Sequence, residues 1–135
     1  MIFAFYGTLR PGQYNYDRLD LNKHGKTIGT HLVKGYKMVS VNGWYPKVYP
    51  SQNQDDTITV ELVEITDKHT IDFIDIMESG AGYDAKEIDV DGTKAYLYVG
   101  SSAMPKEAEK FLIPSGDWVK YDTDRQNAVR TSSRK

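Results

Sequence analysis

Two short stretches of this chain hold residue types that can bind an anion and move a proton. The first is Tyr6-Gly7-Thr8-Leu9-Arg10-Pro11-Gly12, which follows the apolar run from Ile2 to Tyr6. A glycine at the end of a strand permits a tight turn and close approach of a ligand. The N–H groups of Gly7, Thr8 and Leu9 can then converge on a carboxylate or a developing oxyanion, with the Thr8 hydroxyl as a further donor. An ordinary strand-ending turn has the same composition, so the stretch alone does not define a site. The second is Glu78, just past Met77 and beside Ser79-Gly80. A carboxylate near a helix C-terminus is disfavoured by the helix dipole. With burial added, its pKa rises toward neutrality, where it can serve as a general base. A solvated helix-end residue is the plainer account of the same glutamate.

Around these two stretches lie amphipathic rings. Tyr83 follows Glu78 by five positions, and Trp44, Tyr45 and Trp118 add further surface; the chain holds ten Tyr in all. Such rings suit a pocket wall with polar edges, although each taken singly fits a core or surface role equally well. The three histidines, His24, His31 and His69, show no H-x-x-x-H pairing, and there is no Cys. No metal site or thiolate chemistry is therefore expected. No G-x-S-x-G elbow surrounds any serine, and the Gly-x-x-x-x-Gly-Lys pattern of a phosphate loop is absent.

The elements that must position these residues can be read from pattern. Ile2 to Tyr6 reads as a central strand, and residues 7–12 as a turn. Residues 13–27 read as a short helix or an irregular excursion. Residues 28–41 read as a strand pair or one long bent strand, closed by the Asn42-Gly43 turn signal. Pro46 points to a strand end or edge. Thr57 to Ile65 alternates, with Ile58, Val60 and Leu62 inward against Thr59, Glu61 and Glu64. Thr66 reads as an N-cap for a helix over residues 67–77, with Ile71, Phe73, Ile74 and Met77 as its apolar face, ended by Ser79-Gly80-Ala81-Gly82. Tyr83 to Val90 and Lys94 to Val99 read as a hairpin about Asp91-Gly92. Residues 105–109 form a helical turn, and Ile113 to Trp118 a turn with an aromatic anchor. A strand-rich order with one good helix before a late hairpin is α+β, built on a curved mixed or antiparallel sheet.

The 135 residues suit one domain, here 1–119, followed by a polar tail at 120–135. The tail carries Lys120, Arg125, Arg130, Arg134 and Lys135, partly offset by Asp122 and Asp124, and reads as a frayed end. Net charge is -2 with both signs interspersed, so no nucleic-acid surface is expected. No basic n-region with a long apolar segment opens the chain, and no run approaches the ~20 residues of a membrane span. A soluble, cytoplasmic monomer is the expectation.

Taken together the blocks resemble the gamma-glutamylcyclotransferase-like family, in its branch of gamma-glutamylamine cyclotransferases and plant avirulence-induced (AIG2-like) proteins. Tyr6-Gly7-Thr8-Leu9-Arg10-Pro11-Gly12 is similar to that family's Y-G-[ST]-L-x signature. Asp75-Ile76-Met77-Glu78-Ser79-Gly80, with Tyr83 beyond, resembles its D-x-x-E-G block and following tyrosine. Gly43-Trp44-Tyr45-Pro46 and Ser115-Gly116-Asp117-Trp118 resemble its Gly/aromatic-Pro stretch and closing G-[DE]-W block. The chain departs from the pattern in having Ser79 where glycine usually follows the catalytic glutamate.

The resemblance implies a small barrel-like mixed sheet with flanking helices and a cavity on one side. It implies cyclisation of an L-gamma-glutamyl amine or amide to 5-oxoproline and a free amine, without metal or cofactor. Glu78 would be the catalytic group. Tyr6, Gly7, Thr8, Leu9, Arg10, Tyr45 and Tyr83 would bind substrate, Arg10 either at a substrate carboxylate or in an outward ion pair. Two other readings stand beside it: a non-catalytic binder of an acidic or gamma-glutamyl metabolite on the same fold, and an interaction module with exposed aromatics.

Overall fold

The computed structural model describes residues 1–133. Strand β1 (Ile2–Phe5) is apolar along its length because it lies in the middle of a five-stranded sheet. One neighbour is β5 (Thr57–Ile65), antiparallel, with Ile2 opposite Glu64 and Phe5 opposite Glu61. The other is β7 (Thr93–Gly100), which runs parallel to it. The edges are β2 (Gly25–Lys34), paired with β5, and β6 (Tyr83–Val90), paired with β7. A separate hairpin joins β3 (Tyr36–Val41) to β4 (Tyr45–Pro50). The segment read as a strand pair or a single bent strand is thus two strands, which lie in different sheets.

Turn chemistry sets the hairpins. Asn42, Gly43, Asp91 and Gly92 all have positive φ, as expected where Asn-Gly and Asp-Gly pairs reverse a chain. Two short helices, α1 (Tyr14–Arg18) and α2 (Leu21–His24), cross from the β1 turn to β2. Helix α3 (Lys68–Gly80) follows β5 and leads into β6. A 3₁₀ helix at Lys106–Phe111 and helix α4 (Trp118–Ser133) complete the described chain.

Several expectations need correction. The sheet does not close into a barrel: among the described residues no ladder joins the edge strands β2 and β6. Strand β2 instead meets the β6–β7 turn through a side-chain pair, His31 Nδ1 to Asp91 Oδ2 at 2.7 Å. The cap of α3 is Asp67 and not Thr66, its carboxylate accepting from the Thr70 N–H at 3.0 Å. That helix runs on through Ser79 and Gly80, and Phe73, expected inward, is half exposed. Glu61 is buried, and its carboxylate accepts the Thr30 hydroxyl. Period-2 alternation presumes one wet face, whereas the middle of β5 is covered on both.

The polar tail expected from residue 120 is largely helix α4, which begins at the fully buried Trp118. Tyr121 packs on Trp118 at a ring separation of 5.5 Å, and the Arg125 guanidinium lies over both rings. Apolar stem and ring contacts of this kind hold a polar helix that its sequence alone would not. Gly116 sets the angle of entry. Its φ is +63°, and a Cβ there would lie 1.9 Å from the Thr57 carbonyl oxygen, so only glycine fits against β5. Arg134, Lys135 and the side chain of Arg130 lie outside the described residues. Among the described residues no helix is long and apolar enough to cross a membrane.

Candidate active site

A cavity of about 370 Å³ opens where the end of β1, helix α1, the β3–β4 turn, the last turn of α3 and the start of β6 meet. Tyr6, Gly7, Thr8, Leu9, Tyr45, Glu78 and Tyr83 all line it. The two stretches singled out at residues 6–9 and at residue 78 are therefore brought to one place, although about seventy positions separate them.

The turn after β1 is closed by the Arg10 N–H donating to the Gly7 carbonyl at 3.0 Å. Gly7 has ordinary negative-φ freedom, and its role is steric. A Cβ there would lie 2.8 Å from Pro46 Cγ. The missing side chain thus lets β4 close on the turn. Thr8 is tied to α1: its carbonyl accepts from the N–H groups of Asn15 and Tyr16, and its Oγ1 accepts from Asn15 Nδ2 at 2.7 Å. A hydroxyl that already accepts this bond has its own hydrogen to donate elsewhere. Among the described residues the N–H groups of Gly7, Thr8 and Leu9 donate to no protein acceptor. The turn therefore holds a cluster of unspent donors at the cavity wall.

Glu78 sits in the last turn of α3, mostly buried, with no hydrogen bond or ion pair to its carboxyl among the described residues. Burial raises its pKa to about 7, and the charge of Lys47 pulls weakly in the opposite direction. Lys47 itself lies 4.9 Å from the Tyr83 ring centroid and donates to the Ala81 carbonyl at 3.4 Å. Desolvation without a direct partner is the arrangement that leaves a carboxyl near half ionisation at neutral pH.

Tyrosine hydroxyls knit the walls together. Tyr6 donates to the Tyr98 carbonyl at 2.6 Å, Tyr83 donates to the Pro46 carbonyl at 2.7 Å, and Tyr98 donates to Asp75 Oδ1 at 3.1 Å. Burial raises the pKa of each of these phenols, so all three stay protonated. Tyr45 packs against Tyr83 at 6.5 Å between ring centroids.

Arg10 does not line the cavity. It pairs with Asp117 at 2.9 Å, which ties the β1 turn to the segment before α4. Of the two alternatives for Arg10, the ion pair is the one formed. Trp118 is core and not pocket wall. Ser79, where the chain departs from the pattern, is exposed and does not line the cavity.

Sequence reasoning missed Tyr98, Asn15 and Lys47. Tyr98 belongs to the set that alternation assigns outward from β7, yet it is buried, because α3 covers that face. Nothing local marks Asn15 or Lys47, since both act through residues distant in the chain or on another element. Among the described residues no group of three or more His, Asp or Glu side chains is placed to hold a metal ion.

A family model described as gamma-glutamyl cyclotransferase, AIG2-like, matches residues 3–120. No curated protein matches the chain. Among solved structures, an uncharacterised protein from Pyrococcus horikoshii is 27% identical with a TM-score of 0.74, over 94% of this chain and 97% of that one. The protein ytfP from Escherichia coli is 26% identical with a TM-score of 0.66, over 90% and 99%. An aig2-like protein from Mus musculus is 20% identical with a TM-score of 0.69, over 87% and 86%, a likeness of fold.

Proposed function

The chain belongs to the gamma-glutamyl cyclotransferase, AIG2-like family, and from that premise we propose that it cyclises an L-gamma-glutamyl amine or amide, releasing 5-oxoproline and a free amine. One observation carries this reading. A carboxyl with a pKa of about 7 and no protein partner shares a cavity with three unspent backbone donors.

The reaction is an attack of the substrate's own α-amine on its γ-carbonyl. Glu78, ionised, takes a proton from the α-ammonium. The amine nitrogen then bonds to the γ-carbon, and the carbonyl oxygen gains the charge. Collapse of that adduct breaks the bond to the outgoing nitrogen, which takes the proton back from Glu78; Glu78, ionised again, removes the second excess proton from the ring nitrogen and passes it to the freed amine, which leaves as an ammonium. Atoms balance without water. A single carboxyl near pKa 7 suits these transfers, because neither protonation state is scarce at neutral pH.

The cavity's part in this reading is to hold the substrate folded back, since holding reacting groups together supplies much of the rate. The N–H groups of Gly7, Thr8 and Leu9, with the Thr8 hydroxyl aimed by Asn15, hold the α-carboxylate or the developing oxyanion. Tyr6 and Tyr83 close the walls, their hydroxyl hydrogens being committed to backbone carbonyls. Tyr45 backs Tyr83. The full set of groups comes from one chain, so a monomer suffices and no cofactor is invoked.

The test is to incubate the protein with gamma-glutamyl amines and dipeptides and measure 5-oxoproline by mass spectrometry beside Glu78→Gln. Product from the wild type, reduced about 10²-fold or more in the variant, is expected. Binding of these compounds with no product would replace the enzyme by a non-catalytic binder on the same cavity.

A further inference from the structure

Two of the most exposed rings of the protein stand at this cavity. Trp44 is 79% exposed and Tyr14 71% exposed, and both line the opening. The other large exposed apolar side chains, such as Leu32 and Ile76, lie elsewhere. Large rings left in water at the mouth of a concave site are surface that a ligand can cover.

Trp44 is presented by a well-braced turn and not by a loose loop. Its N–H donates to the Val41 carbonyl at 3.0 Å, and the Gly43 N–H donates to Ser40 Oγ at 3.1 Å. From the other side α4 supports the tip: a Cβ on Gly43 would lie 2.6 Å from Arg125 Nη1, so the guanidinium rests directly on that glycine. Tyr14 opens helix α1, which the Thr8 carbonyl and hydroxyl tie to the donor turn. The two rings thus belong to elements fixed to the inner site.

Charge narrows what can cover them. No Lys or Arg lines the cavity among the described residues. Of the nearby cations, Lys47 and Arg18 touch the wall made by Ala81, Tyr83 and Met77, and Arg125, which rests on Gly43 beside Trp44, is paired with Asp122 at 2.6 Å. Every atom of the ring that forms lies in the glutamyl moiety, beside the mostly buried Glu78. The substituent on the outgoing nitrogen is the part that must extend past the rim. A carboxylate there would lie against ring faces, which repel anions, and the one cation beside Trp44, Arg125, is already committed to Asp122.

We infer that Trp44 and Tyr14 form the subsite for the outgoing amine and select gamma-glutamyl amides of apolar or aromatic amines over those whose amine carries a carboxylate. The inference rests on the cyclisation reading and adds the substrate class to it.

The experiment compares gamma-glutamyl-benzylamide with gamma-glutamyl-glycine, which share the reacting amide and differ at the rim. Wild-type kcat/KM is expected to favour the benzylamide by about tenfold or more, the order of one ring contact. Trp44→Ala is expected to abolish most of that ratio through KM, and Trp44→Phe to restore most of it. Binding is read separately in Glu78→Gln protein from the ligand-induced change in tryptophan emission, which reports Trp44 because the second Trp, Trp118, does not line the cavity. Preference for the glycine compound, or a ratio unmoved in Trp44→Ala, overturns the rim assignment. If the benzylamide perturbs the emission at lower concentration than the glycine compound while neither is turned over, the rim stands and the cyclisation reading fails. If neither is bound nor turned over, both fail.

Discussion

Replacing Glu78 by Gln is expected to make the protein more stable at pH 8 while removing its activity. Folding takes the carboxyl from its ordinary value of 4.5 to about 7, mainly by burial. At about 1.4 kcal/mol per pH unit, holding it ionised in the folded state costs on the order of 3 kcal/mol, an upper figure because water penetrates such sites. The sign follows from proton counts. Between pH 4.5 and 7 the folded state binds the proton more tightly than the unfolded chain does. Stability from this group is therefore complete below 4.5 and is lost as pH rises through 7. Gln keeps the shape and never ionises. Urea unfolding at pH 4.5 and pH 8 is the assay. Glu78→Gln is expected to match the wild type at the lower pH and to exceed it by about 1–3 kcal/mol at the higher. The same ionisation governs turnover, so wild-type kcat/KM should rise through an apparent pKa of about 7. A Glu78→Gln protein no more stable than wild type at pH 8 would refute the claim that burial without a partner sets this pKa.

Lys47→Met removes the charge that holds the Glu78 pKa down, so the rising limb of the pH–rate profile should move to higher pH; an unmoved limb would remove Lys47 from the electrostatics of the site. Gly7→Val drives a branched side chain into Pro46, and should cost about 1–3 kcal/mol by thermal or urea unfolding and at least about tenfold in kcat/KM; full activity would show that β4 does not close on the turn. Trp118→Ala empties a fully buried site under the start of α4 and should cost about 3–5 kcal/mol; a loss below about 1 kcal/mol would mean that α4 is not anchored there.

Much of the backbone plan was legible because it is written in local chemistry. Asn42-Gly43 and Asp91-Gly92 favour the positive φ that they adopt here, and the hairpin about Asp91-Gly92 could be read from the pattern on either side of it. The apolar run from Ile2 to Tyr6 read as a central strand, and Ile2–Phe5 is one. Reading was poorest where a residue's surroundings come from elsewhere in the chain. Glu61 and Tyr98 alternate outward by pattern but are buried under covered faces. Helix α4 looks like a polar tail until Trp118, Tyr121 and Arg125 are seen to stack. The barrel implied by resemblance is an open sheet, because curvature and edge contact are properties of the assembled strands.

For the candidate site the division is similar. Sequence by itself identified the parts: a glycine turn able to offer N–H groups, a glutamate at a helix end, and tyrosines to wall a cavity. These follow from side-chain type and local spacing, which are one-dimensional properties. Whether the parts meet, and in what electrostatic state, was decided by tertiary structure. Only the packed chain puts Glu78 in the cavity lined by Gly7, Thr8 and Leu9, buries it without a partner, and commits Arg10 to Asp117. Desolvation and long-range pairing depend on what lies across space, and no local window of sequence holds that information.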